Sequence, residues 1–111
     1  MIKNDSTIIK SAALLATGQS GAIDVSGLNE ASIFLNVSVV AGTNPTIDVI
    51  IEDSPNGTDW YTLATFTQKT AAAKDSKRIT NFAKFLRANY TIGGTENPSF
   101  TTEILAVGRG I

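Results

Sequence analysis

Apolar and polar residues alternate with a period of two through much of this chain. Ile33, Leu35, Val37 and Val39 alternate with Phe34, Asn36, Ser38 and Val40. That spacing predicts a strand over Ser32–Val40 with the first set on one face. Ile47, Val49 and Ile51 alternate in the same way with Asp48, Ile50 and Glu52. Leu86, Ala88, Tyr90 and Ile92 do so with Phe85, Arg87, Asn89 and Thr91, which predicts a strand over Phe85–Ile92. Further strands are expected over Thr7–Thr17, Ala22–Val25, Trp60–Phe66, Lys77–Asn81 and Ser99–Val107. About eight short strands with turn signals between them predict an all-β fold, an antiparallel β-sandwich. No stretch carries a sustained helical period, and Gln68–Ser76 reads as a loop.

The breaks between these runs have a physical content. Pro55, Asn56 and Gly57 fit a type I turn followed by a left-handed residue, the three-residue hairpin loop. Trp60, Leu63 and Phe66 do not keep one alternation, so a bulge is expected near Thr62 or Ala64. Trp60 is expected in the core, with Tyr61 outside. Two other breaks echo each other. Gly42-Thr43-Asn44-Pro45 precedes Thr46 and Ile47, and Gly94-Thr95-Glu96-Asn97-Pro98 precedes Ser99 and Phe100. Proline suits the first position after a loop, so the echo predicts two equivalent corners of the sandwich. Met1–Ser6 reads as a loose arm and Gly108–Ile111 as a frayed tail, both on one domain spanning 1–111.

Composition narrows the chemistry. The chain has 111 residues with no Cys and no His. A disulfide, the usual zinc, haem and iron–sulfur ligand sets and a Cys or His nucleophile–base pair are therefore excluded. Asp48, Glu52, Asp53 and Asp59 are the densest acids. They lack EF-hand spacing, and Asp48 and Glu52 fall on the expected wet face of a strand. No enzyme, cofactor or metal site is expected. An exposed Trp60–Tyr61 pair would instead suit a carbohydrate-stacking platform.

Net charge is −1, unevenly spread. Six of the nine bases, Lys69, Lys74, Lys77, Arg78, Lys84 and Arg87, fall within nineteen residues. The sharper reading of that cluster is a face of Lys77, Arg78 and Lys84 that docks an acidic protein surface; the plainer one is a solvated face. Aromatics are not interleaved for base stacking, so nucleic acid is not an expected partner. The uninterrupted apolar run Ala12–Ala16 falls short of the roughly 7–15 residues of a secretory h-region, and still further short of a bilayer span. The expectation is an intracellular protein, not secreted, with no membrane partner.

The segments Gly42–Val49, Ser54–Phe66 and Phe85–Phe100 carry a family likeness. They resemble small structural proteins of tailed bacteriophages, above all the capsid decoration, cement or staple proteins of Epsilon-fifteen-type podophages. That resemblance implies a jelly-roll-like sandwich, often a homodimer or other homo-oligomer, on the capsid surface of the virion. Its partner would be the major capsid protein, and its role to staple neighbouring subunits. The expected contacts are the corners at Asn44-Pro45 and Asn97-Pro98 and the bases Lys77, Arg78 and Lys84. A carbohydrate-binding sandwich module or another head or tail component is the alternative.

Overall fold

The computed structural model describes residues 3–110 as seven strands and no helix. They are β1 (Lys3–Leu14), β2 (Gly18–Gln19), β3 (Ile23–Asp24), β4 (Glu30–Ser54), β5 (Tyr61–Thr65), β6 (Ala73–Thr80) and β7 (Phe85–Gly110). Every ladder is antiparallel. Two long strands dominate. β4 and β7 pair from Glu30↔Arg109 to Ser54↔Phe85, with register shifts only around residues 37–46. Each contains two of the predicted strands.

Extended, the 25 residues of β4 would reach about 80 Å. The longest dimension of the molecule is 49 Å. The long strands therefore fold over, and the flanking chain shows where. Leu14 pairs with Phe100, and Gly18 pairs with Tyr90. Four residue steps span at most about 14 Å, whereas ten residues of straight β7 would need about 33 Å. The other edge repeats this. Lys69 bridges to Ile47 and Ala73 pairs with Val37, again four residues against ten.

The result is a β-sandwich made from one folded sheet. Its first layer runs β1, the C-terminal half of β7, the N-terminal half of β4, then β6. Its second runs β2 and β3, the N-terminal half of β7, the C-terminal half of β4, then β5. Between the layers the alternating apolar sets meet: Ile33, Leu35, Val37, Phe100 and Ile104 from the first, Ile47, Val49, Ile51, Leu86 and Ala88 from the second. Phe66 and Leu14 close the sides.

Several local expectations change. Lys3–Ser6, expected in a loose arm, pair with Val107–Gly110; Met1 and Ile2 lie outside the described residues. Gly108–Gly110, expected to fray, all pair with β1, and Gly108 and Arg109 pair with β4 as well. The 27–29 turn closes over them: Asn29 N donates to Arg109 O at 2.7 Å, and Leu28 occupies the space a Cβ on Gly108 would need. Ile111 lies outside the described residues. Strand β6 begins at Ala73, inside the expected loop. The bulge falls at Leu63, between Thr62 and Ala64, as the spacing requires.

Candidate partner-binding surfaces

The echoed breaks are one structure rather than two. Between the crossings at each edge, residues 40–46 of β4 and 93–100 of β7 keep pairing with each other as a bent two-stranded ribbon (Val40↔Phe100, Ala41↔Ser99, Thr43↔Thr95, Thr46↔Gly93). At its tip Gly42 faces Pro98 and Gly94 faces Pro45. The tip needs left-handed backbone on both strands: Gly42, Asn44, Gly94, Glu96 and Asn97 all have positive φ. Glycine and asparagine tolerate that region; Glu96, at φ 59°, is held there against its preference. The Thr43 hydroxyl donates to Glu96 Oε2 at 2.7 Å and ties the two strands. Asn44 and Asn97 are exposed, Pro45 and Pro98 half-buried. The four corner residues expected to touch a partner are thus brought together.

The basic residues are not. Lys77 and Arg78 are neighbours on β6, so they point to opposite faces. Lys77 lies across from buried Ile33, whereas Arg78 lies across from Ser32 and stands 5.4 Å from the Phe34 ring centroid. Lys84 belongs to the other layer. Its ammonium sits 5.3 Å from the Phe85 ring centroid, and its carbonyl accepts from Val25 N. The expected single basic face of Lys77, Arg78 and Lys84 is therefore split. Nearness in sequence stood in for nearness in space, and strand alternation separated them.

Trp60 is not a core side chain either. It is half-buried, and the Arg87 guanidinium lies 4.2 Å from its ring centroid. Arg87 Nε also donates to Glu52 Oε1 at 2.8 Å. The 55–60 connection is longer than a three-residue loop, because side chains organise it. The Ser54 hydroxyl accepts from Asn56 N and Gly57 N, and Asn56 Oδ1 accepts from Thr58 N and Asp59 N. The chain thus reaches Trp60 on the outer side of the second layer, where the Arg87 guanidinium lies over its ring. Tyr61 beside it is 61% exposed.

Each of the four clustered acids has its own partner. Asp48 accepts from Gln68, Glu52 from Arg87, Asp53 from Ala83 N and Asp59 from the Asn56 amide. Among the described residues no group of three His, Cys, Asp or Glu side chains could hold a metal ion. Two other carboxyls sit below their ordinary range: Asp75 chiefly because the Lys69 ammonium donates to it, and Asp24 because the Ser26 hydroxyl and N–H do.

The surface that sequence reasoning missed is the outer face of the first layer. Phe34 and Val107 are exposed there, with Leu105 half-buried between them; Val39, expected to face inward with Ile33, is turned outward by the register shift between Val37 and Val39. The signal was present in the alternation of 32–40, where Phe34 stands among polar neighbours, and in Leu105 and Val107, which alternate with Ile104 and Ala106. The outer face of the second layer is more polar: Asp48, Glu52, Arg87, Asn89 and Thr91 surround half-buried Ile50 and Phe85.

No family model and no curated protein matches the chain. Solved structures do. The PBSX exported protein XepA superposes with a TM-score of 0.66 at 18% identity, over 96% of this chain; the chain spans 37% of XepA. The SPBc2 prophage-derived protein YomS matches with a TM-score of 0.61 at 6% identity, over 99% of this chain and 96% of its own. A subunit of the disulfide-linked pili of Bacillus endospore appendages gives 0.60 at 19% identity, over 98% and 87%. The likeness is one of fold. Identities this low carry the sandwich and its strand order, and no site.

Proposed function

We propose that this chain is a structural protein of a phage particle, which binds the outer surface of the capsid and staples neighbouring major capsid subunits. The observation that supports it is the whole-length likeness to YomS, a prophage-derived protein that is nearly all this one fold. The motif resemblance to decoration proteins points the same way; the PBSX exported protein XepA contains a stretch of the same fold. The pili give a parallel in which such a fold is an assembly subunit.

The mechanism is adhesion without chemistry. A protein bound at two neighbouring capsid subunits holds them together, since the second contact forms at an effective concentration near millimolar. The ribbon tip at Asn44, Pro45, Asn97 and Pro98 offers one contact, because its backbone is fixed in advance and loses little entropy on docking. Arg78 and Lys84 on separate faces offer others to acidic surface. The deciding experiment mixes the purified protein with capsids that lack it. Co-sedimentation at a fixed ratio to the major capsid protein, with a higher temperature of capsid rupture, is expected. Protein that stays in the supernatant, as an exported protein would, sinks this reading.

A second reading rests on Tyr61, an exposed aromatic beside Trp60. It makes the chain a carbohydrate-binding module. A glycan array is its test, with Trp60 fluorescence as the readout; a flat array removes it.

A further inference from the structure

We infer that Asn56-Gly57 is a spontaneous deamidation site that the folded 54–59 loop keeps closed, so that the chain is modified there only when this loop opens. Of the eight asparagines, only Asn56 precedes a glycine. A glycine has no Cβ, which leaves its backbone nitrogen open to close approach. Asn44 and Asn97 precede proline, which has no N–H to lose. In an open chain the Gly57 nitrogen gives its proton to hydroxide, and its electron pair attacks Asn56 Cγ. The N–Cγ bond forms, the Cγ–Nδ2 bond breaks, and ammonia leaves with a proton from water, which returns the hydroxide. A second water opens the succinimide ring, giving aspartate at 56 or its isomer with the backbone routed through the side-chain carbon. Water is the one reactant consumed.

The loop opposes each movement that this step needs. Gly57 N donates to Ser54 Oγ at 2.8 Å, and a serine hydroxyl is too weak a base to take the proton. Asn56 Oδ1 accepts from Ser54 Oγ at 3.2 Å and from Thr58 N and Asp59 N, both at 2.9 Å. Asn56 Nδ2 donates to Asp59 Oδ2 at 2.9 Å. Both ends of the carboxamide are held, and Cγ turns to meet Gly57 N only if these bonds break. Ser54 is fully buried, whereas Asn56 and Gly57 are exposed. Water and hydroxide therefore reach the pair, and hydrogen bonding rather than burial protects it. The product does not fit the loop. Aspartate at 56 sets a second carboxylate where the amide now donates to Asp59, and like charges at that distance repel. Conversion during one opening thus leaves a chain that does not rebuild the same loop ahead of Trp60.

The test incubates the full chain at mildly alkaline pH, folded in buffer and unfolded in guanidinium chloride. Peptide mapping by mass spectrometry follows the change from amide to acid at residue 56. Conversion is expected to be at least about tenfold slower in the folded protein, the ratio being set by the population of open loop. Ser54→Ala and Asp59→Ala, with folding checked by circular dichroism, are expected to convert several-fold faster than the natural sequence in buffer and to match it in guanidinium chloride. If Ser54→Ala does not fold, Asp59→Ala at an exposed position decides alone. Equal rates for the natural sequence in the two states overturn the inference. So does faster conversion in the folded state, which would make the donors to Oδ1 a charge-stabilising site instead. Folded variants that convert as slowly as the natural sequence overturn the assignment of protection to these hydrogen bonds. Neither capsid nor glycan takes part in the experiment, so its failure is distinct from failure of the stapling reading.

Discussion

Gly42 and Pro98 face each other at the ribbon tip so closely that a Cβ on Gly42 would stand 2.7 Å from the Pro98 Cα. Gly94 and Pro45 repeat the relationship from the other strand, at 2.9 Å. Each glycine also has φ near or above 100°. Gly42→Ala and Gly94→Ala are therefore expected to destabilise the protein by about 1–3 kcal/mol each. Gly21→Ala is the control: nothing lies within 4 Å of the place its methyl would take, and its φ is not in the left-handed region. Thermal unfolding followed by circular dichroism checks all three, and equal melting temperatures would remove the steric argument.

Phe100 is fully buried where β7 enters the first layer, paired with Leu14 on one side and Val40 on the other. Phe100→Ala leaves a cavity at the junction of the layers and is expected to cost about 3–5 kcal/mol. Exposed Thr67→Ala should stay within about 0.5 kcal/mol. Urea titration of both variants measures the difference.

Much of this fold was legible because burial in a two-layer sandwich imposes a period of two. Ile33–Val37, Ile47–Ile51 and Leu86–Tyr90 show it without interruption, and all three face inward. What was not legible was continuity. A glycine-proline break reads locally as a turn between strands, yet here both breaks bend strands that stay paired. The echo between them was visible, and its cause, that two paired strands must turn the same corner, required the register. The first half of β6, Ala73–Ser76, was hidden for another reason. An edge strand that carries Lys74, Lys77 and Arg78 guards against edge-to-edge pairing and loses its apolar signal in doing so. Of the expected contacts, the corner residues came together because paired strands carried them; the bases did not, because adjacent strand residues face opposite ways.

Arg87 holds Trp60 from one side and Glu52 from another. Arg87→Ala is expected to red-shift Trp60 emission and to speed its quenching by acrylamide, with a stability loss of about 1 kcal/mol. If the emission does not change, the cation does not shield the ring in solution. The same variant bears on the glycan reading, since it bares a second aromatic face beside Tyr61.

The Asp75 carboxyl is held below its ordinary range by Lys69 and then by Ser76 N–H. A carboxyl whose folded value is depressed contributes stability fully above its unfolded value, about 3.9, and loses it as pH falls toward the folded value. The pair is partly exposed, so its contribution stays below about 1 kcal/mol. Asp75→Asn should lower stability at neutral pH and flatten its fall in acid below about pH 4. Denaturant midpoints measured from pH 2 to 7 check this, and parallel curves for variant and natural sequence would exclude the link.

The pairing of β1 with residues 100–110 sets the timing of folding as well as the shape. Residues near 3 and near 110 are neighbours, and the strand between β1 and β4 is the C-terminal half of β7. On a ribosome, the first layer has no centre until those residues emerge, and β1 waits through synthesis of nearly the whole domain with its edge unpaired. Contacts of such sequence separation place folding in the slow, millisecond-to-second regime of β-proteins. A nascent chain stalled before residue 100 would be a natural client for chaperones, and a chain released there could not rescue itself.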